Sequence, residues 1–187
     1  MGRSRLNDNV AVPSPRSRND STSRSVAVIT RMAGLAAPAA FVGVSFLFFG
    51  LRLLLEPGSR YIGAGNDPQI FIWSLAWWPH AVLHWQNPFF THAIWSPAGV
   101  NMSWVTAVPG LALLFSPLTL LFGAVVMYNV AAVVLPALAA WTAFLLCRHV
   151  THAFWPSLAG GYLFGFSSYM LGQESGHLHM TSVLLVP

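Results

Sequence analysis

Long apolar stretches alternate with polar segments along this chain of 187 residues. Four of the stretches are candidates for membrane-spanning helices, and they cover residues 33–55, 106–122, 124–146 and 157–171. A helix needs about 20 apolar residues to cross the hydrocarbon core of a bilayer. The pattern therefore predicts four membrane-spanning helices. Pro109, Pro117 and Pro136 interrupt two of them, which membrane helices tolerate when neighbouring groups satisfy the backbone.

The segment 56–104, between the first two predicted spans, differs in kind from the apolar stretches. It holds six of the eight tryptophans, namely Trp73, Trp77, Trp78, Trp85, Trp95 and Trp104. Tryptophan concentrates at membrane–water interfaces, and Asp67-Pro68 is typical of a helix start. We therefore predict an outer loop that contains an interfacial helix over 69–85, lying on the outer leaflet instead of crossing it.

Most of the basic residues precede the first apolar stretch. They are Arg3, Arg5, Arg16, Arg18, Arg24 and Arg31. The segment 1–32 has too little apolar surface to offset the entropy of ordering, so we predict a disordered tail. Arginines beside a membrane helix indicate the cytoplasmic side. A nucleic-acid partner would need a basic folded face, and none is predicted.

The overall composition supports a membrane protein. Apolar residues make up 55% of the chain and charged residues 7%, against about 25% charged in a typical soluble domain. We expect an all-α fold, a polytopic transmembrane helical bundle over 33–187 in the plasma membrane, with the lipid bilayer as its partner. The single cysteine, Cys147, should pack as a small hydrophobe. Because no polar tail follows Val186, we expect the front part of a longer protein.

Asp67 is the first candidate for chemistry. It lies in a glycine-rich stretch just after the first predicted span. An aspartate there can cap the following helix, and this is reason enough for its presence. It can equally act at the membrane surface as a general base or a metal ligand.

The second candidate is the polar patch Gln173–His179. Glu174 and His177 are three residues apart, so on a helix they would share a face, as in some metal sites. His177 and His179 would face the same way only in an extended segment. The patch is either a polar loop between membrane helices or a functional site, since ionisable residues near membrane depth are costly.

The order of these features resembles the N-terminal part of the GT-C superfamily, which consists of polytopic membrane glycosyltransferases that use polyprenyl-phosphate-linked sugars. The matching features are a first span, a long outer loop with an amphipathic helix, further apolar helices, and a segment 164–170 that runs into a polar patch. The resemblance covers about residues 33–187. Where many members have an acidic pair in the first outer loop, this chain has Asp67-Pro68.

The resemblance implies transfer of a sugar from a polyprenyl-phosphate donor on the extracytoplasmic side. Asp67 would be the catalytic base or would help to hold a divalent metal ion, and Arg60 and Gln173 would contact the substrate. The further metal ligands would be Glu174, His177 and His179.

Two other functions stay open, a non-enzymatic transporter component and an inactive truncated remnant. The topology leaves a further choice. If all four stretches cross, Glu174 and His177 lie on the cytoplasmic side, away from Asp67. If 106–122 does not cross, they lie outside with Asp67, and Arg148 is cytoplasmic as the positive-inside rule expects.

Overall fold

The computed structural model describes residues 36–183, 185 and 186, so the predicted tail over 1–32 lies outside the described residues. The elements in chain order are α1 (Ala36–Leu53), α2 (Asp67–Leu83), β1 (Phe90–Thr91), β2 (Val100–Asn101), α3 (Pro109–Leu114), α4 (Ser116–Phe122), α5 (Ala124–Thr151), α6 (Phe154–Gly165), α7 (Ser168–Gln173) and α8 (Leu178–Thr181). The described part is mostly helical, which confirms the all-α prediction. The two strands form one short antiparallel pair within the predicted outer loop.

Helix α1 packs antiparallel to α5. Near its start, Phe41 meets Phe144 edge to face with ring centroids 6.3 Å apart. Further along, the buried Ser45 hydroxyl donates to the Val133 carbonyl at 2.6 Å. Later residues of α1 thus meet earlier residues of α5. The α-helical geometry changes to a π-helical turn over Phe46–Gly50 and a 3-10 turn at its end.

Helices α5 and α6 form the closest helix pair, and small residues make it possible. A Cβ atom on Gly161 would lie 2.5 Å from the Ala140 carbonyl oxygen. A Cβ atom on Gly165 would lie 2.7 Å from the Pro136 carbonyl oxygen. Small residues at these positions therefore let the two helices approach closely. The pairing is antiparallel, so the chain returns through α6 toward the end at which α5 begins.

Two of the four predicted spans are single long helices. By length and composition, α1 and α5 could cross a membrane. In the described part of α1 large apolar side chains are exposed, with Leu47 63% and Phe48 52% exposed. Surfaces of this kind need an apolar cover, and together with the helix lengths they indicate association with a membrane.

The stretches 106–122 and 157–171 are each divided, which corrects the prediction of one continuous helix in each. The first breaks at Phe115, since α3 and α4 each begin anew with a proline in their first turn. The second breaks after Gly165, where the Ser167 hydroxyl accepts from the Met170 amide and starts α7. The 12 residues of α6 reach only about 18 Å, short of a bilayer core of about 30 Å.

Helix α2 confirms the helix predicted over 69–85, with slightly earlier bounds. One side of it is buried against the rest of the fold, and Leu75 and Trp78 are 0% and 4% exposed. The predicted interfacial tryptophans divide accordingly, because Trp85 and Trp104 are 96% and 89% exposed whereas Trp78 belongs to the core. A position of α2 in the membrane interface stays a prediction.

Candidate functional site

The buried side chain of Asn129, in α5, hydrogen-bonds to the loop that follows α1. Its amide nitrogen donates to the carbonyls of Pro57 at 3.0 Å and Arg60 at 2.7 Å. Its amide oxygen accepts from the Ile62 amide at 3.0 Å. Three hydrogen bonds from one side chain fix the path of the backbone that leads toward Asp67. The sequence carried one signal for this role, a lone amide within an apolar helix.

The same loop then packs directly on the polar patch Gln173–His179. The Ala64 amide donates to the Ser175 carbonyl at 2.8 Å. Gly63 has a φ of +104° and lies so close that a Cβ atom there would collide with the Ser175 carbonyl. Gly176 lies beside Asp67 with more room, since a Cβ atom on it would make ordinary van der Waals contact with the Asp67 Cβ at 3.4 Å. The absence of a side chain at Gly63 therefore lets the two backbones meet.

Asp67 lies against His177 in this contact. The Asp67 Oδ2 is 3.4 Å from the His177 Nε2, and the two side chains are 56% and 44% exposed. Asn66, not Asp67, occupies the N-cap position, and no side-chain hydrogen bond caps the helix. The interpretation of Asp67 as N-cap is therefore wrong, because the helix begins at Asp67 itself. The carboxylate remains at the positive end of the α2 dipole.

His177 has one ring nitrogen free of hydrogen bonds. Its Nδ1 is buried without a partner among the described residues, while Nε2 faces Asp67. A hydrogen on Nδ1 would be a buried donor without an acceptor, which is costly. The geometry thus favours the tautomer with its hydrogen on Nε2, directed at the Asp67 carboxylate.

Glu174 is buried in the protein. Its side chain is 2% exposed, and its Oε2 has no hydrogen-bond partner among the described residues. Burial raises the pKa of Glu174 to about 8, and the neighbouring Thr181 hydroxyl opposes the shift. At neutral pH this carboxyl is mainly a neutral acid, able to donate as well as accept a hydrogen bond.

The helical face expected to join Glu174 and His177 does not form. Helix α7 ends at Gln173, with Glu174 as its C-cap, and a turn through Gly176 follows. In that turn Gly176 lies next to Asp67 and Pro68. The two side chains consequently face different surroundings, one buried and one half exposed.

His179 packs inside the fold. Its ring stacks on Phe71 with centroids 5.4 Å apart, and its Nδ1 is buried without a partner among the described residues. Burial lowers the pKa of His179, and His177 adds to the effect. Within residues 36–183, 185 and 186, no three His, Cys, Asp or Glu side chains form a group that could hold a metal ion. The predicted set of three ligands is therefore not assembled there, and metal binding stays a prediction.

Two polar cavities lie along the loop that leads from α1 to Asp67. One of about 410 Å³ lies between the end of α1 and the loop after α7, and Arg52, Tyr61 and Glu174 line it. Arg52 and Tyr61 also line a second cavity of about 370 Å³, which reaches Arg60. Arg60 is paired with Glu56 on the surface at 2.8 Å, whereas Arg52 forms no ion pair with another described residue. Arg52 lies in the last turn of α1, a position from which a long arginine side chain can also reach lipid headgroups.

An apolar groove lies next to these cavities. It has a volume of about 330 Å³ and runs between the end of α1 and the start of α5. Leu53 lines both the groove and the larger polar cavity. Apolar and charged surfaces therefore meet at one end of the helices.

The predicted site residues divide into three groups. Asp67 and His177 are in contact. Glu174 and Arg60 line the neighbouring cavities. Gln173 contributes its carbonyl oxygen, which accepts from the His177 amide at 2.7 Å. The structure thus brings together two segments more than 100 residues apart in the chain.

Comparison with known proteins gives one match. No curated protein and no solved structure matches the chain. The model of one protein family matches residues 38–186, nearly all of the described region. The chain therefore belongs to the family of a domain of unknown function, DUF6311.

Proposed function

We propose that this protein is a membrane glycosyltransferase of the GT-C kind, or the N-terminal part of one, which transfers a sugar from a polyprenyl-phosphate donor. One observation carries the proposal. The Asp67 carboxylate lies against His177 at the same end of the helices as the apolar groove and Arg52, which forms no ion pair with another described residue. A lipid-linked sugar phosphate needs these three surfaces, a base, a cation for the phosphate and an apolar path for the lipid.

The antiparallel helices support an extracytoplasmic position for this site. If α1 crosses outward, α5 inward and α6 with α7 outward, then Asp67 and His177 share the outer side. Arg148, in the last turn of α5, then lies on the cytoplasmic side with the N-terminal arginines, as the positive-inside rule expects. In this arrangement 106–122 does not cross, and its two short helices belong to the outer region.

Asp67 would act as the general base. Its carboxylate takes the proton of the acceptor hydroxyl while that oxygen attacks the anomeric carbon of the donor sugar. The bond from this carbon to the phosphate oxygen breaks, and the polyprenyl phosphate leaves with the electron pair. His177 would hold the carboxylate in position through its Nε2 hydrogen.

The charge that develops on the leaving phosphate needs a cation, and Arg52 is the best placed. Its guanidinium borders both polar cavities. Arg60 could join it by exchanging its surface pair with Glu56, since such exposed pairs contribute only about 0–1 kcal/mol. A divalent ion held by one carboxylate and the substrate phosphate would supply further charge neutralisation when bound, with Asp67 as the nearest ligand.

The apolar groove would receive the first part of the lipid. Leu54, Val130 and Val133 line it, and none of them can hydrogen-bond through its side chain. Because the groove shares Leu53 with the polar cavity, a donor could place its chain in one and its phosphate in the other.

The test is a transfer assay in membranes that contain the full-length protein, with a panel of radiolabelled polyprenyl-phosphate sugars. Asp67→Asn should reduce transfer about 10²- to 10⁴-fold, the range that a general base contributes. Asp20→Asn makes the same chemical change in the N-terminal tail and should leave transfer intact. Unchanged transfer in Asp67→Asn would remove the base assignment.

A transporter component is the second candidate, and the buried Glu174 favours it. A carboxyl with a pKa of about 8 beside a cavity can take up and release a proton near neutral pH. The two functions differ in product. A glycosyltransferase leaves the radiolabel covalently attached to an acceptor, whereas a transporter moves the labelled molecule unchanged into vesicles.

A further inference from the structure

The cavity of about 410 Å³ contains an unexplained polar group. Glu174 lines it, is 2% exposed, and has one carboxyl oxygen with no partner among the described residues. Leaving a buried polar atom without a hydrogen bond is energetically costly. Such atoms call for an explanation, and a bound ligand is one that also accounts for the cavity.

The other walls of the cavity are aromatic and cationic. Phe48 and Phe49 lie side by side with ring centroids 6.1 Å apart, and Phe48 is held by stacking on Phe166 at 5.8 Å. The Tyr61 hydroxyl lies on the same cavity and accepts a hydrogen bond from Gln69. Ligand sites typically combine such apolar walls with a few polar groups that fix orientation.

We propose that this cavity binds the sugar ring of a phosphate-linked sugar, with Glu174 hydrogen-bonded to ring hydroxyls and Arg52 paired with the phosphate. The proposal rests on the proposed function, because it names the cavity in which the sugar of the donor would bind. A sugar offers hydroxyl groups to the carboxyl and its C–H surface to the phenylalanine rings.

Other ligand classes fit the walls less well. A metal cation would meet the Arg52 guanidinium and a carboxyl that is mainly neutral at pH 7. Inorganic phosphate would satisfy Arg52 but would leave the aromatic wall without a contact. An apolar chain would leave both Arg52 and Glu174 without partners. A sugar phosphate uses all three kinds of surface.

The test measures binding to the purified full-length protein in detergent micelles by titration calorimetry. The probes are glucose, galactose, mannose and arabinose 1-phosphates, with glycerol 1-phosphate and inorganic phosphate as references. At least one sugar phosphate should bind about tenfold or more tightly than glycerol 1-phosphate, a difference of about 1.4 kcal/mol. Glu174→Ala should abolish this preference, and Arg52→Gln should weaken all phosphates equally. Asp20→Ala is the matched control and should bind as the unaltered protein does.

Glu174→Gln is the control for the possibility that Glu174→Ala loses binding because it unfolds. It preserves the size of the neutral carboxyl and should retain the preference within a few-fold, because an amide still donates and accepts. Equal binding of all probes by the unaltered protein would overturn the proposal. So would an unchanged preference in Glu174→Ala.

The sugar-binding proposal and the proposed function can fail independently in these experiments. In buffer without divalent metal ions, Asp67→Asn should bind the sugar phosphates as the unaltered protein does, and in the transfer assay it should fail. If no donor is transferred but sugar binding depends on Glu174, the sugar site stands and the glycosyltransferase proposal falls. If transfer depends on Asp67 but Glu174→Ala keeps both sugar preference and transfer, the sugar site falls alone.

Discussion

Replacing Glu174 by glutamine should remove a large part of the pH dependence of stability. The carboxyl is 2% exposed, and burial raises its pKa from 4.5 to about 8. Between these two pH values the folded chain holds a proton that the unfolded chain has released. The free energy of unfolding therefore falls as the pH rises through this window and levels off above about pH 8. Glutamine has no such proton.

The expected magnitude follows from the width of that window. Each pH unit inside it changes the free energy of unfolding by about 1.4 kcal/mol per proton. From about pH 5.5 to about pH 7.5 the loss is thus about 2.7 kcal/mol, or about 5–10 °C in Tm for a chain of this size. Because the side chain is almost fully buried, screening by solvent should reduce this little.

Thermal unfolding in detergent micelles, followed by tryptophan fluorescence, measures the effect. The difference in Tm between the unaltered protein and Glu174→Gln should change with pH in favour of the glutamine variant as the pH rises. His179, whose pKa is lowered in the folded chain, has the opposite pH dependence in both proteins and cancels in the difference. A difference that does not vary between about pH 5.5 and 7.5 would refute the assignment of a buried, protonated Glu174.

Three further substitutions test the packing and the site. Asn129→Leu should lower the free energy of unfolding by about 1–3 kcal/mol, since it leaves the buried Ile62 amide unpaired, and thermal unfolding would measure this. Gly165→Val should cost at least about 1–3 kcal/mol by forcing α6 away from α5, visible as a lower Tm, and an unchanged Tm would contradict the close pairing. His177→Phe should lower kcat about 10- to 100-fold with little change in KM because the Asp67 carboxylate loses its positioning contact, and His177→Asn should restore part of the rate.

The fold was predictable where length alone decides. Apolar stretches of more than 20 residues gave α1 and α5 correctly, and Asp67-Pro68 marked the start of α2 to within two residues. The breaks at Phe115 and after Gly165 were not predictable, because proline or serine at a helix start competes with continuation of the helix. Whether the helix breaks or continues at such a residue depends on tertiary packing, which apolar composition does not encode.

The sequence pointed to most of the site residues, but it did not predict which of them are in contact. Asp67 and the patch Gln173–His179 stood out because ionisable groups are rare in this chain. Asp67 and this patch can meet only if the chain between them crosses the membrane an even number of times. Local sequence patterns do not determine that number. Arg52 and Asn129 were missed as site residues, since a single polar residue near the end of an apolar helix has the same sequence pattern whether it contacts lipid headgroups or organises a cavity.

The proposed site requires that Asp67 and the patch Gln173–His179 lie together on the extracytoplasmic side. Labelling of intact cells with a membrane-impermeant thiol reagent tests this requirement, in a Cys147→Ala background with one new cysteine at a time. Asn66→Cys and Ser175→Cys should both react, and His149→Cys should react only after the cells are opened. If Asn66→Cys and Ser175→Cys react from opposite sides of the membrane, the site cannot exist as described and the proposed function falls with it.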